Sequence, residues 1–259
     1  MTYGSTKVTQ DLGKVAIFYH CHPANHGLEN LTFFLDRGYL DDPTFFISCA
    51  DFEPPASWKN INFFSTENDS HDFGGHARNI LNHCTTKEFD FFLFINSSVK
   101  GPFQLSTNYE SWPCKFLNLL NKRVGAVGST INCLSQHSPH FHFLSGLIDP
   151  KITHYHIQTY CYALTADSLK VLLEQNFYRF PTRWSKAETI INYELNLSKI
   201  LLAADINIAC LVEEFQDIDF RVRSEETMRL ETVGDPCFPG AIFGRTLDPY
   251  EVLFVKTNR

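Results

Sequence analysis

The segment from Asp90 to Ile95 is an almost continuous apolar run, and it sets the strongest limit on how this chain can fold. A strand with one wet face alternates apolar and polar residues. A strand covered on both faces reads as unbroken hydrophobe. Short runs of β-branched, aromatic and other apolar residues recur at Val15–Tyr19, Thr44–Ser48, Ile61–Phe64, Val124–Val127, Tyr160–Leu164 and Asn207–Val212. Helical patterns lie between them. Leu28, Leu31, Phe34 and Leu35 share one face of a helix predicted over Leu28–Leu40. Further helices are expected over Asp72–Cys84, entered through Gly74-Gly75, and over Thr165–Gln175. The longest runs over Ser185–Ala203, where Ser185 and Glu188 have the spacing of a capping box. Tyr250–Val255 reads as an edge strand. Strands alternating with helices, and apolar throughout, predict a three-layer α/β sandwich with a mainly parallel sheet.

The length of 259 residues suits one undivided domain over residues 1–259, with residues 1–14 expected to be flexible. Phenylalanine, at 24 residues, points to a thick core or to rings that stack on sugars. A net charge of −7 with no basic run argues against binding a nucleic-acid backbone. The polar start and the absence of any stretch near ~18 apolar residues predict no transmembrane segment and a cytoplasmic location. In that setting the sequons at Asn30, Asn68, Asn96 and Asn196 are chance matches. Eight scattered cysteines without a C-x-x-C pair are expected to be reduced thiols.

Parallel sheets bind ligands beyond the carboxyl ends of their strands, which singles out His20, Asn96–Ser98 and Ser129-Thr130. FDFFLFINSSVKGPF (Phe89–Phe103) resembles the rhamnan-synthesis F family of glycosyltransferases and its eukaryotic and viral relatives. HDFGGHARNIL from His71, VGAVGSTINC from Val124 and HIQTYCYALTADSL from His156 resemble the same family in the same order. So do the segment from Lys186 to Leu211, whose helix carries Tyr193-Glu194, and the close PYEVLFVKTNR.

The resemblance implies a GT-A-like nucleotide-sugar transferase fold. It implies a UDP-, dTDP- or GDP-sugar donor, a glycan acceptor, and a deoxyhexose such as rhamnose as the first expectation for the sugar. Inversion at the anomeric centre is expected by analogy. The alternative on the same fold is a non-catalytic nucleotide- or sugar-binding protein.

Asn96-Ser97-Ser98 occupies the place where enzymes of this fold often carry an Asp-x-Asp pair that holds a divalent metal. Bacterial members commonly have Asp where this chain has Ser97. Mg2+ and Mn2+ prefer anionic oxygen, so no cofactor follows with certainty; Ser98 and His156 are the candidate metal contacts. Without a metal, Arg78, Lys100, Lys256 and Arg259 are the cations that can neutralise a diphosphate. Asn68, Asp72, Gly74 and Gly75 precede a helix whose N-terminus can face phosphate, although Asp72 also reads as an ordinary cap. His20 faces either the nucleotide or the core. His156 and Gln158 are donor or acceptor contacts by resemblance. Glu194 lies on the apolar stripe of its helix with Ile190, Leu197 and Leu201. There a carboxylate is either paired or raised in pKa, and it is the candidate general base, with Asp149 in reserve.

Overall fold

The computed structural model describes residues 13–54, 60–105, 110–134, 155–179 and 183–257. Seven strands form the main sheet. They are β1 (Val15–Cys21), β2 (Thr44–Ala50), β3 (Ile61–Thr66), β4 (Phe91–Asn96), β6 (Val124–Gly128), β9 (Cys161–Thr165) and β10 (Asn207–Cys210). Their order is β10-β6-β9-β4-β1-β2-β3. All run parallel except β9, which is antiparallel to both β4 and β6. Two small antiparallel pairs sit apart from this sheet. One joins β5 (Val99–Lys100) to β11 (Val255–Lys256), and the other joins β7 (Ile131–Cys133) to β8 (Tyr155–Ile157).

The apolar strands are buried as their composition demands. Phe92, Leu93, Phe94 and Ile95 have no exposed surface. Each such side chain contributes about 1.5–3 kcal/mol through burial. The pleat sends alternate residues to opposite faces, so β4 feeds two cores. Phe92 and Phe94 join Phe18, Phe46 and Tyr162 on one side. Leu93 and Ile95 join Ile17, Tyr19 and Phe45 on the other. The result is the three-layer α/β sandwich expected from the sequence. Phe18 stacks on Phe46 and Phe94 at centroid separations of 5.1 and 5.0 Å, so much of the phenylalanine is core.

Helix α1 (Gly27–Gly38) buries Leu31, Phe34 and Leu35. Helix α2 (His71–Arg78) continues as a π-helical turn, Asn79–His83. A short helix α3 (Cys114–Leu117) precedes β6, and α4 (Ala166–Glu174) follows β9 with the Thr165 side chain as its cap. The long helix, α5, consists of Lys186–Thr189, a π-helical stretch Ile190–Leu195, and Asn196–Ala203. Its capping box is formed: the Glu188 N–H donates to Ser185 Oγ, and the Ser185 N–H to Glu188 Oε2 at 2.8 Å. Helices α6 (Glu225–Leu230) and α7 (Pro249–Val252) complete the set.

The tail differs from its sequence reading as an edge strand over Tyr250–Val255. Asp248 caps α7 by accepting from the Tyr250 N–H, and Pro249 stands in its first turn, where a missing N–H costs nothing. The chain then turns at Leu253, buried and with φ +64°, and only Val255–Lys256 pairs as a strand. All eight cysteines are free thiols. Among the described residues no helix is long and apolar enough to cross a membrane.

Candidate functional site

β1 leads outward to β2 and β3, while its other neighbour, β4, begins the opposite half of the sheet. Such a reversal opens a crevice beyond the carboxyl ends of the strands. Here it holds a cavity of about 660 Å³. Most of the candidates picked out in the sequence meet there. His20, Asn68, Asp72, Asn96, Ser97 and Ser98 line one part, and His156, Gln158, Glu194 and Lys256 line the rest.

The turn after β4 is tied internally. Asn96 Nδ2 donates to Asp72 Oδ2 at 2.7 Å, while Asn96 Oδ1 accepts from the Ser98 N–H and hydroxyl at 3.0 and 2.5 Å. Ser97 faces inward: its Oγ accepts from the His22 N–H at 3.0 Å, and its own N–H donates to the His20 carbonyl. Asp72 is therefore a cleft residue and does not cap α2, whose N-cap is Ser70. Burial pushes the Asp72 carboxyl up, the Asn96 hydrogen bond works against this, and the charge of Glu194 adds to the rise. His71, beside it, has φ +52°, a strained setting for a side chain on the cleft wall.

His20 Nδ1 lies 2.9 Å from Ser48 Oγ, and burial lowers its pKa to about 3. Gly74 and Gly75 do not line the cleft. A Cβ on Gly75 would fall 2.0 Å from His20 Nδ1, and one on Gly74 would fall 2.7 Å from Asp69 Oδ1. Their place is the packing of α2 on β1 and on its own entry turn. Arg78 is also removed from the expected phosphate contacts, because its guanidinium forks onto Asp69, with Nη1 at 2.9 Å from Oδ1. Lys100 lies outside the cleft, its ammonium 4.8 Å from the Phe33 ring centre. Asp149 and Arg259 lie outside the described residues.

Lys256 does reach the cleft. Its strand is clasped to the β4 turn: the Thr257 N–H donates to the Ser98 carbonyl at 3.1 Å, and Asn30 Nδ2 donates to both the Ser97 carbonyl and Thr257 Oγ1 at 2.9 Å. The Lys256 ammonium rests 5.4 Å from the Tyr160 ring centre.

Glu194 is paired. Its Oε1 lies 3.3 Å from His156 Nε2, and its Oε2 accepts from the Thr159 hydroxyl at 3.3 Å. Burial pushes its pKa up, but His156, the Lys256 charge and Thr159 together outweigh this and hold the carboxyl below its usual range. Of the two states open to a carboxylate on this helix, pairing is the one observed. The π-helical stretch Ile190–Leu195 also interrupts the expected 3.6-residue stripe and places Tyr193 and Glu194 at the cleft together. Gln158 accepts from Thr130 Oγ1 at 2.7 Å and donates to Asp235 Oδ1 at 3.3 Å.

These side chains do not fit a Mg2+ or Mn2+ ion. Of the two candidate contacts, Ser98 gives its hydroxyl to Asn96 Oδ1 and His156 Nε2 faces Glu194; Asn96 Oδ1 already accepts two hydrogen bonds, and Ser97 Oγ is spent on the backbone. Among the described residues no three His, Cys, Asp or Glu side chains converge as a metal site.

The sequence reading missed His22, His71, Asn132, Thr189 and Asp235, all of which line the cleft. His71 stands next to Asp72, and Asn132 is the penultimate residue of one of the quoted segments, so position alone could have raised both. Asp235 carries no such signal.

No family model matches the chain, and no curated protein matches it. Three solved structures to which it is similar are glycosyltransferases. A mannosyltransferase from Pyrobaculum calidifontis in complex with GDP-Man and Mn2+ is 14% identical over 62% of this chain and 46% of its own, with a TM-score of 0.33. A glycosyltransferase involved in glycosylation of the major capsid of PBCV-1 is 13% identical over 70% and 76%, with a TM-score of 0.37. The bifunctional WbbM, in its apo form, is 11% identical over 83% and 43%, with a TM-score of 0.38. The chain spans less than half the length of the first and third of these.

Proposed function

We propose that this chain is a glycosyltransferase that binds a nucleotide-sugar in the cleft and transfers the sugar to a hydroxyl of a glycan. One observation carries the reading. Residues from positions 20 to 256 whose chemistry suits donor or acceptor contacts line one cavity at the reversal point of the sheet. The collinear resemblance to the rhamnan-synthesis F glycosyltransferases supports the same chemistry. It also makes a deoxyhexose such as rhamnose the first sugar to test and a polysaccharide the first acceptor class. In this reading the diphosphate lies against the Asn96–Ser98 turn, and Lys256 opposes its charge as the leaving group departs. Glu194, ionised at neutral pH, accepts the proton that the acceptor hydroxyl must lose. No step needs a bound metal. Inversion of the anomeric centre is part of the proposal.

A second reading, a non-catalytic binder of the same ligands, is favoured by one observation. The position where a metal-binding carboxylate is expected is Ser97, and its hydroxyl is turned to the backbone. A screen of UDP-, dTDP- and GDP-sugars for hydrolysis, repeated with chelator, separates the two. Turnover of at least one donor, retained with chelator, is expected. Calorimetric binding without turnover of any donor supports the binder, and turnover abolished by chelator removes the metal-free account.

A further inference from the structure

The loop that begins at Asp235 leaves the cleft wall and runs out to the surface. Asp235 itself lines the cavity. Its Oδ1 accepts from Gln158 Nε2 at 3.3 Å and from the Cys237 N–H at 3.0 Å. Cys237 Sγ lies 3.2 Å from Gln158 Oε1, so the loop is tied to the wall through two of its residues. Gln158 is followed by Thr159, whose hydroxyl donates to Glu194. Asp235 therefore belongs to the part of the cavity that holds Glu194.

Phe238 stands three residues beyond. Its N–H donates to the Asp235 carbonyl at 3.3 Å, a tight turn that keeps the two Cα atoms within about 7 Å of each other. Phe238 is 57% exposed, more than any other large apolar side chain among the described residues. The loop that carries it is fixed. The Ala241 N–H donates to the Phe238 carbonyl at 3.1 Å, and the Gly240 N–H to Thr246 Oγ1 at 3.0 Å. Pro236 and Ile242 are buried. Arg245 pins the far end to Glu214 and Glu251. An aromatic ring held out to solvent on such a loop can be covered at little cost in ordering. The other exposed ring of the loop, Phe243, already carries the Arg229 guanidinium 4.5 Å from its centre.

Resting on the transferase reading for the identity of the occupant, we propose that Asp235 and Phe238 form a subsite for the acceptor glycan. Asp235 accepts a hydrogen bond from a sugar hydroxyl at the cleft wall, and Phe238 stacks against the C–H face of the next sugar. A pyranose supplies both halves of this chemistry. Its hydroxyls donate to a carboxylate, which can only accept. Its C–H bonds suit the negative face of an aromatic ring. A nucleotide base could also stack on Phe238, but the Asp235 carboxylate repels the phosphates that accompany it. A glycan whose reacting hydroxyl lies at Glu194 passes Asp235 and continues over Phe238. The acceptor is therefore an uncharged chain of at least two sugars, not a monosaccharide.

The test is an immobilised array of mono- and oligosaccharides built from rhamnose, fucose, mannose, glucose, galactose and xylose, probed with the whole chain. Wild-type protein should bind at least one oligosaccharide more tightly than its terminal monosaccharide. Phe238→Ala should weaken that binding about 3- to 10-fold, the loss of one aromatic stack. Asp235→Asn should weaken it too. Phe238→Trp should retain it, with a change in tryptophan fluorescence on adding the glycan that wild type does not show. Phe243→Ala, which removes the other exposed ring of the loop, should bind as wild type does. Equal binding by Phe238→Ala, loss in Phe243→Ala instead, or no glycan bound at all overturns the proposal. So does a wild-type dimer that Phe238→Ala converts to monomer with glycan binding unchanged, since the face is then a contact between copies. If Phe238→Ala does not fold, as read by circular dichroism, the Phe238→Trp fluorescence decides: no change with glycan overturns the subsite. Glycan binding through Phe238 in a protein that turns over no nucleotide-sugar supports the subsite and defeats the transferase reading. Donor turnover with glycan binding indifferent to Phe238 does the reverse.

Discussion

Lys256 is the residue whose role the geometry narrows most. Of the four cations that sequence offered to a diphosphate, Arg78 is spent on Asp69, Lys100 sits over Phe33 outside the cleft, and Arg259 lies outside the described residues. Lys256 alone among the described three lines the cavity. A charge-assisted contact of this kind is worth about 1.5–3 kcal/mol. Lys256→Met, which keeps the aliphatic stem, should therefore weaken nucleoside diphosphate binding about 10- to 100-fold by calorimetry, with thermal stability little changed. Equal affinity in the variant would place the diphosphate elsewhere. Lys256 was legible because it stands in the C-terminal segment that carries the resemblance, whereas Lys186, which also lines the cavity, carried no such signal as a phosphate contact. Pairing was not legible, since Asp69, which claims Arg78, reads as one acidic residue among 29 Asp and Glu.

At the scale of elements, the cleft's floor and its C-terminal strap are one construction. Asn30 on α1 ties the carbonyl of Ser97, at the end of β4, to Thr257, just beyond β11. Its side chain is buried at 2% exposure, so Asn30→Ala leaves acceptors unsatisfied and should cost about 1–3 kcal/mol in urea unfolding. It should also raise hydrogen exchange at Thr257, whose N–H bonds the Ser98 carbonyl. No change at Thr257 would show that the strap is held by the β5–β11 pair alone. The strands of the sheet were readable from their unbroken apolar runs. The ends of helices with chemical caps were readable too, as the Ser185–Glu188 box shows. The π-helical stretches at Asn79–His83 and Ile190–Leu195 were not, because an extra residue per turn leaves no mark in composition. The tail misled for a different reason. Tyr250–Val255 is apolar enough for a strand, but the Asp248-Pro249 start makes its first turn helical.

For the whole molecule, two buried histidines couple stability to pH. Burial lowers His20 from 6.5 to about 3 and pushes His76 well below its ordinary value. The unfolded chain then binds more protons than the folded one below pH ~6.5, so stability rises with pH. The contribution is complete above about 6.5 and is lost as pH falls toward about 3. Between pH ~6.5 and ~5 most carboxylates remain ionised in both states, which isolates the histidine effect. Urea midpoints should fall steadily across that interval, and the fall should be shallower in His20→Asn. A flat profile would mean that the two rings are not held neutral. The strand order, with β9 reversed between β4 and β6, was not available from the sequence. Apolar runs record burial on both faces but carry nothing about which neighbour a strand pairs with or in which direction.

The central claim is that the turn after β4 and the strap that carries Lys256 together receive the diphosphate of an activated sugar. Crystals soaked separately with UDP, dTDP and GDP test it most directly. The account predicts that at least one diphosphate is found between the Ser98 turn and the Lys256 ammonium, with the nucleoside toward His20 and Asn68. A cleft left empty by all three, or a nucleotide bound at another surface, would contradict it.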